Sequence, residues 1–308
     1  MSTHQTAPTQ YIIASDGVKY AYRRIGSSEG LPLVMHGFFR SNMDFWDPIL
    51  INNLAEKRPV ILFDQAGVGR SSGTIPMTYQ GWADCQINLT NALGINRYDV
   101  AGFSMGGLSA QLVALTVPQK VRKLVLLGTT SAAPLEEESD TGGIVWPREK
   151  AQPEPMAVLT TSESTPEEVQ HAIAYSFFYQ TDAGRKAAQG WWDRVNERKV
   201  DGEAPLLEFV NSEGTARQVE AVVHWNTPEK NGAYDRLSNL EMPVLVINGD
   251  DDLLIPPSRS WELAKKIPNS QLIIYPKAGH GFLYQYAKLT ATHINMFLDG
   301  FGGLHGNE

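Results

Sequence analysis

The sequence predicts a doubly wound α/β fold with a mostly parallel sheet. Three features carry this expectation. Short, mainly apolar runs recur along the chain, stretches with helical spacing lie between them, and one long helix-patterned segment interrupts the alternation late in the chain. Strands that are apolar at every position belong to sheets covered on both faces. Strand–helix alternation implies right-handed crossovers between parallel strands.

Taken in order, residues 10–25 (QYIIASDGVKYAYRRI) hold two alternating segments around Asp16-Gly17, which signals an N-terminal hairpin. Buried strands follow at Leu33–Met35, Pro59–Phe63, Tyr98–Phe103, Val121–Leu127, Pro243–Ile247 and Gln271–Tyr275. Gly81–Leu93 reads as a helix, with Trp82, Cys85, Leu89 and Ala92 on one face. Leu108–Val117 reads as another, with Leu108, Leu112 and Leu115 aligned and Pro118 as its stop. From about 131 to 235 the alternation lapses. An acidic, Gly/Pro-rich stretch (SAAPLEEESDTGG) leads into helices expected at Pro166–Tyr179, Asp182–Val200 and Ala216–His224. This segment is rich in aromatics, among them Trp146, Tyr175, Phe177, Phe178, Tyr179, Trp191, Trp192 and Trp225. We therefore expect a core of residues 1–130 plus 236–308 and a helical cap, or lid, at 131–235. Such a lid would sit over the C-terminal ends of the strands, where α/β folds place ligands.

Composition sets outer limits. An apolar share of 42% in 308 residues supports a large core and argues against disorder. With 26 basic and 34 acidic residues the net charge is −8, which gives no general attraction for nucleic acid or anionic membrane. Cys85 is the sole cysteine, so no intrachain disulfide can form, which fits a reducing compartment. The start, MSTHQTAPTQ, lacks the charged and apolar regions of a secretion signal, and no apolar run is long enough to span a membrane. A cytoplasmic protein acting on a small-molecule partner, with no nucleic acid or membrane partner, is expected. The sequence specifies no oligomeric state.

Chemistry is announced at Gly102-Phe-Ser-Met-Gly106, a G-x-S-x-G run between an expected strand and an expected helix. In that setting the turn is a nucleophile elbow that lifts the serine oxygen above the sheet. The alternative is a glycine-rich turn capped by a serine. A serine hydroxyl needs a base to take its proton, and the base needs an orienting acid. In this arrangement the chain order is serine, acid, histidine. Of seven histidines, His280 in Pro276-Lys-Ala-Gly-His-Gly-Phe282 follows the last strand, on the same sheet edge as Ser104. His4 and His36 precede the serine, His171 and His224 lie in the insertion, His293 sits in a helical run, and His305 is in the tail.

The acid is sought after the preceding strand, where Asp250, Asp251 and Asp252 compete. Three adjacent carboxylates cannot all be buried together. Asp252 is favoured because it precedes the apolar Leu253-Leu-Ile-Pro256 run. Two N–H donors are needed for an oxyanion. Met105, after the serine, supplies one, and Phe38 in the loop His36-Gly37-Phe38 supplies the other. Gly37 lets that loop approach the substrate, and His36 is expected to support it by hydrogen bonds. Asp64-Gln-Ala-Gly-Val-Gly-Arg-Ser-Ser72 resembles no phosphate-loop pattern and reads as a turn held by Asp64. No ligand-spaced His/Cys cluster points to a metal, and no cofactor is expected.

Together HGFF at 36–39, DQAGVGRS at 64–71, GFSMGG at 102–107, GDDDLLIP at 249–256 and AGHGF at 278–282 resemble the α/β-hydrolase fold superfamily in order and spacing. The likeness is greatest to the branch of serine esterases and cofactor-free haloperoxidases, and it covers the chain outside the lid. The resemblance implies Asp252 as the acid and the Phe38 and Met105 N–H groups as oxyanion donors. Serine at the elbow departs from the epoxide hydrolases and haloalkane dehalogenases, which use a carboxylate there. The expected function is a serine hydrolase that cleaves an ester or lactone of a small, mainly apolar substrate through an acyl-enzyme. Carbon–carbon bond hydrolysis or perhydrolysis could use the same triad. A small-molecule receptor that retains the triad is the non-enzymatic alternative. The lid aromatics either contact substrate or form the lid's own core.

Overall fold

A computed structural model describes residues 1–131, 142–227 and 233–300. Most of the acidic stretch at 131–143, and His305, lie outside the described residues. One eight-stranded sheet organises the molecule, in the order β1-β2-β4-β3-β5-β6-β7-β8. Its strands are β1 (Gln10–Ile13), β2 (Lys19–Ile25), β3 (Leu33–His36), β4 (Val60–Phe63), β5 (Tyr98–Phe103), β6 (Val121–Leu127), β7 (Val244–Gly249) and β8 (Ser270–Tyr275). The β1–β2 hairpin is antiparallel and joins the sheet antiparallel to β4. The remaining pairings are parallel.

The physical reason matches the expected one. Every residue of β3, β4, β5 and β7 is buried, although successive side chains point to opposite faces. Both faces of the central sheet are therefore covered. The helices between β3 and β6 are α1 (Pro48–Ala55), α2 (Tyr79–Ala92) and α3 (Met105–Thr116). α2 packs against α3, and α1 packs against the C-terminal helix Ala287–Leu298. α1 lacks a long periodic pattern and starts at a proline capped by the Asp47 carboxylate, which accepts the Ile49 N–H at 2.8 Å.

Between β6 and β7 the described chain forms α4 (Pro153–Thr161), α5 (Pro166–Phe177), α6 (Asp182–Val195) and α7 (Ser212–Trp225). α5, α6 and α7 start at side-chain caps from Thr165, Thr181 and Asn211. The helix expected at Asp182–Val200 ends five residues early, because the chain turns to bind the N-terminal segment. The Lys199 N–H donates to the Gln5 carbonyl at 2.8 Å, and the Thr9 hydroxyl donates to Glu203 at 2.7 Å. Arg198 also pairs with Glu203. No helix among the described residues is long and apolar enough to cross a membrane.

Candidate active site

β5 ends at Phe103 and α3 begins at Met105, so Ser104 alone makes the turn between them. Its φ of 56° and ψ of −120° lie in a region that costs a side-chain-bearing residue about 1–3 kcal/mol. Tight packing imposes it. A Cβ on Gly102 would stand 2.2 Å from the Gly106 carbonyl oxygen, and a Cβ on Gly106 would stand 2.2 Å from that of His36. Glycine at both positions is what lets the strand, the helix and the β3 loop meet. The Ser104 N–H donates to the Leu127 carbonyl at 2.9 Å, and the Thr129 hydroxyl donates to the Ser104 carbonyl at 2.8 Å.

β7 and β8 are neighbours, with Gly249 opposite Tyr275, so the loops after them emerge side by side. They carry Asp252 and His280, both fully buried. His280 Nδ1 lies 2.7 Å from Asp252 Oδ2. The other carboxylate oxygen accepts the N–H groups of Leu254 at 2.8 Å and Ile255 at 2.9 Å, which locks its rotamer. The other two aspartates are occupied elsewhere. Asp251 pairs with Arg148 at 2.9 Å, and Asp250 accepts the Ala278 N–H at 3.2 Å. An ionised carboxylate only accepts, so this pairing places the proton of a neutral imidazole on Nδ1 and leaves Nε2 as the basic lone pair. Nε2 is buried without a hydrogen-bond partner among the described residues.

His280 is tied to the serine turn by packing. Its ring centroid is 4.9 Å from that of Phe103, the residue before Ser104. A Cβ on Gly128, the residue after the Leu127 that bonds Ser104, would lie 3.3 Å from the imidazole. Phe177, from the end of α5, closes the other side of the ring at 4.9 Å. The Phe177 carbonyl also accepts the Gly281 N–H at 2.6 Å. Phe177 stands out in the sequence only as one lid aromatic among several, and nothing there signals that it supports the imidazole.

The β3 loop differs from expectation in two details. The Phe38 N–H donates to the Ser41 hydroxyl at 3.0 Å, and that hydroxyl donates to the Phe38 carbonyl at 2.8 Å. The Phe38 ring packs into the Phe45–Phe103–Phe177 cluster, and it is Phe39 that lines the cavity. His36 does not hold the loop by hydrogen bonds. It stacks on Trp82 at 5.8 Å and faces the Gln65 and Gln86 amides without reaching hydrogen-bond geometry. Burial lowers its pKa to about 3, so it is neutral and packs as an aromatic. Met105 is the first residue of α3, so its N–H has no acceptor within the helix. Asp64 fastens two loops, accepting the Met43 and Arg70 N–H groups at 2.8 Å each.

These buried groups make stability pH-dependent. Burial lowers His36 to about 3 and His4 to about 4, both from an ordinary 6.5, and Arg23 adds to the shift at His4. The unfolded chain then binds more protons below pH 6.5, and stability is lost as pH falls from there toward 4 and 3. Burial raises Asp64 from 3.8 to about 6, which has the opposite sign between those values. Each histidine loses about 2 kcal/mol by pH 5, and Asp64, with Asp47 and Asp251 also raised by burial, returns part of it, so stability falls between pH 7 and pH 5. Urea unfolding at pH 7 and pH 5 measures this, and equal midpoints contradict it.

Ser104 opens on a cavity of about 700 Å³. Phe39, Met105, Leu108, Phe177, Trp225 and Leu254 make its walls largely apolar, while Glu149, Lys150 and Arg259 also line it. Of the insertion's aromatics, Phe177 and Trp225 reach the cavity. Trp191 instead packs between Phe45 and Tyr284 and donates its indole N–H to the Phe45 carbonyl at 3.3 Å. The aromatic segment thus both lines the cavity and builds its own core.

A mostly parallel sheet with a strained serine between strand and helix, and a paired acid and histidine after the last two strands, defines a class of α/β enzymes with a nucleophile elbow. A family model for the alpha/beta hydrolase fold matches residues 33–285, and the chain belongs to that family. It is 26% identical over 299 residues to a protein of Caulobacter sp. (strain K31) named "Putative carbamate hydrolase RutD", covering 92% of this chain and 97% of that one. It is 27% identical over 260 residues to the 2-hydroxymuconate semialdehyde hydrolase of Pseudomonas putida, covering 82% and 80%. Among solved structures, an alpha/beta hydrolase fold protein from Chitinophaga pinensis aligns with a TM-score of 0.81 at 30% identity, covering 97% of this chain and all of that one.

Proposed function

We propose that the protein is a serine hydrolase that cleaves an ester or lactone of a small, predominantly apolar substrate through an acyl-enzyme. The observation that carries this reading is the buried Asp252–His280 pair packed against Phe103, the residue before a serine held in a strained turn above an apolar cavity. Ser104 attacks the carbonyl carbon while His280 Nε2 takes the hydroxyl proton. Asp252 holds the Nδ1–H tautomer and stabilises the imidazolium. The Met105 and Phe38 N–H groups bind the developing oxyanion. At Phe38 the substrate oxygen displaces Ser41 Oγ, an exchange favoured because an anion accepts a stronger hydrogen bond than a hydroxyl. The tetrahedral intermediate collapses, the leaving alcohol takes the proton from His280, and water activated by the same imidazole releases the acid.

The helices between β6 and β7 serve as the lid in this proposal, with Phe177 and Trp225 as its substrate-facing aromatics. Likeness to the 2-hydroxymuconate semialdehyde hydrolase supports carbon–carbon bond hydrolysis as a second reading for the same triad. Turnover measured on aryl esters of increasing chain length, lactones, acyclic diketones, and acid with peroxide separates these chemistries. We expect the highest kcat/KM on esters or lactones with apolar acyl groups. A preference for diketones assigns carbon–carbon cleavage instead. Labelling of Ser104 by a fluorophosphonate without multiple turnover on any substrate points to a receptor.

A further inference from the structure

We infer that Arg40 is a positioning residue that couples the inserted helices to the β3 loop, so that lid placement and oxyanion-donor placement form one equilibrium. The inference rests on the serine-hydrolase reading above. Arg40 lies between Phe38 and Ser41, and it is buried with no ion pair among the described residues. Its side chain spends its donors on the insertion. Nη1 donates to the Leu159 carbonyl at 2.8 Å and the Ser162 carbonyl at 2.9 Å, and Nε donates to the Val210 carbonyl at 3.2 Å. The guanidinium also lies over the Phe209 ring at 4.6 Å.

Its backbone is engaged by the same segment. The Arg40 N–H donates to Gln218 Oε1 at 2.8 Å, and its carbonyl accepts the Val210 N–H at 3.0 Å. One residue of the β3 loop therefore holds the end of α4, the chain before α7, and α7 itself.

Two physical arguments make this a coupling. The carbonyls at the end of α4 lack helical partners and carry the negative end of its dipole, so a guanidinium is the fitting cap. Its planar, permanently charged fork of donors can bridge several carbonyls at once, which an ammonium cannot. The second argument is strain. Arg40 has a φ of 61°, a left-handed conformation that a non-glycine residue keeps only when its surroundings impose it. Here much of what imposes it comes from the insertion. If those helices move away, Arg40 loses its partners and the turn Phe38–Ser41 is free to relax. That turn contains both the Phe38 N–H and Phe39, which lines the cavity wall.

Arg40→Gly tests this, because glycine accepts the left-handed φ and the change removes the side chain without adding strain. Hydrogen exchange should accelerate at least about 10-fold in both 36–42 and 206–218, with β5 and β6 unchanged. On the best substrate, kcat should fall about 10–100-fold with KM changed far less, since small misplacement of a donor lowers kcat. Arg40→Lys should recover part of both effects. Gln218→Leu, made from the insertion's side, should loosen 36–42 without altering that loop's own sequence. Loosening of 206–218 alone, an effect confined to KM, or loss of protection across the whole sheet overturns the proposal. If Ser104→Ala retains turnover, the serine-hydrolase reading fails, and the exchange result still decides the coupling.

Discussion

Replacing Ser104 by alanine is expected to lower kcat by about 10⁵–10⁶-fold with KM little changed. The hydroxyl is the only group in the proposed site that forms a bond to substrate, so its loss removes both acylation and deacylation. The fold should survive, because the turn is held by the Ser104 backbone, through its bonds to Leu127 and Thr129, and by Gly102 and Gly106. Alanine carries the same left-handed strain as serine. Residual turnover should therefore reflect binding and oxyanion donors alone. The measurement is steady-state hydrolysis on the best substrate, with unfolding followed in parallel. Activity within tenfold of the wild type removes Ser104 from the mechanism.

The second large effect is expected from Asp252→Asn, about 10⁴-fold in kcat. The amide keeps the volume and can keep one acceptor for the Leu254 and Ile255 N–H groups. It then presents NH₂ to His280 Nδ1 in place of a carboxylate oxygen. The imidazole must accept there, so its proton moves to Nε2 and the base is in the wrong tautomer to receive the serine proton. Asp250→Asn is the control. Its carboxylate binds the Ala278 N–H and not the imidazole, so it should lose far less than Asp252→Asn. Equal losses in the two variants contradict the assignment of the acid.

How much of this was legible beforehand depended on the range of the interaction that encodes it. The buried strands were readable because a strand covered on both faces is mainly apolar, and the six expected runs fall on β3 to β8, although β8, at the sheet edge, is only half-buried and β6 carries the half-buried Arg122 and Lys123. The hairpin was readable from Asp16-Gly17 and the alternation around it. α1 and α4 were not expected. Each is short, and a helix of two or three turns shows too little periodicity to stand out. The early end of α6 was hidden because its cause is remote in sequence, in the contacts of Lys199 and Glu203 with residues 5–9.

The candidate site divides the same way. Ser104 and His280 are marked by glycines, because the backbone there approaches other backbone closely, and that requirement is written locally. Asp252 could be preferred over its neighbours from the apolar run that follows. Its isolation from Asp250 and Asp251 is geometric, since each of the three carboxylates faces different donors.

By itself the sequence determined the succession of the strands, the helices that follow β4 and β5, the glycine-bounded turn at Ser104, and a short list of candidate site residues. Those properties follow from local backbone constraints and from burial on both faces of a sheet. Only the tertiary structure decided that Phe38 bonds Ser41, that Phe177 braces His280, and that Arg40 binds three parts of the insertion at once. Those contacts join segments more than a hundred residues apart, or fix one hydrogen-bond partner among several. No local pattern encodes them, because the free energy that selects them comes from packing the whole chain.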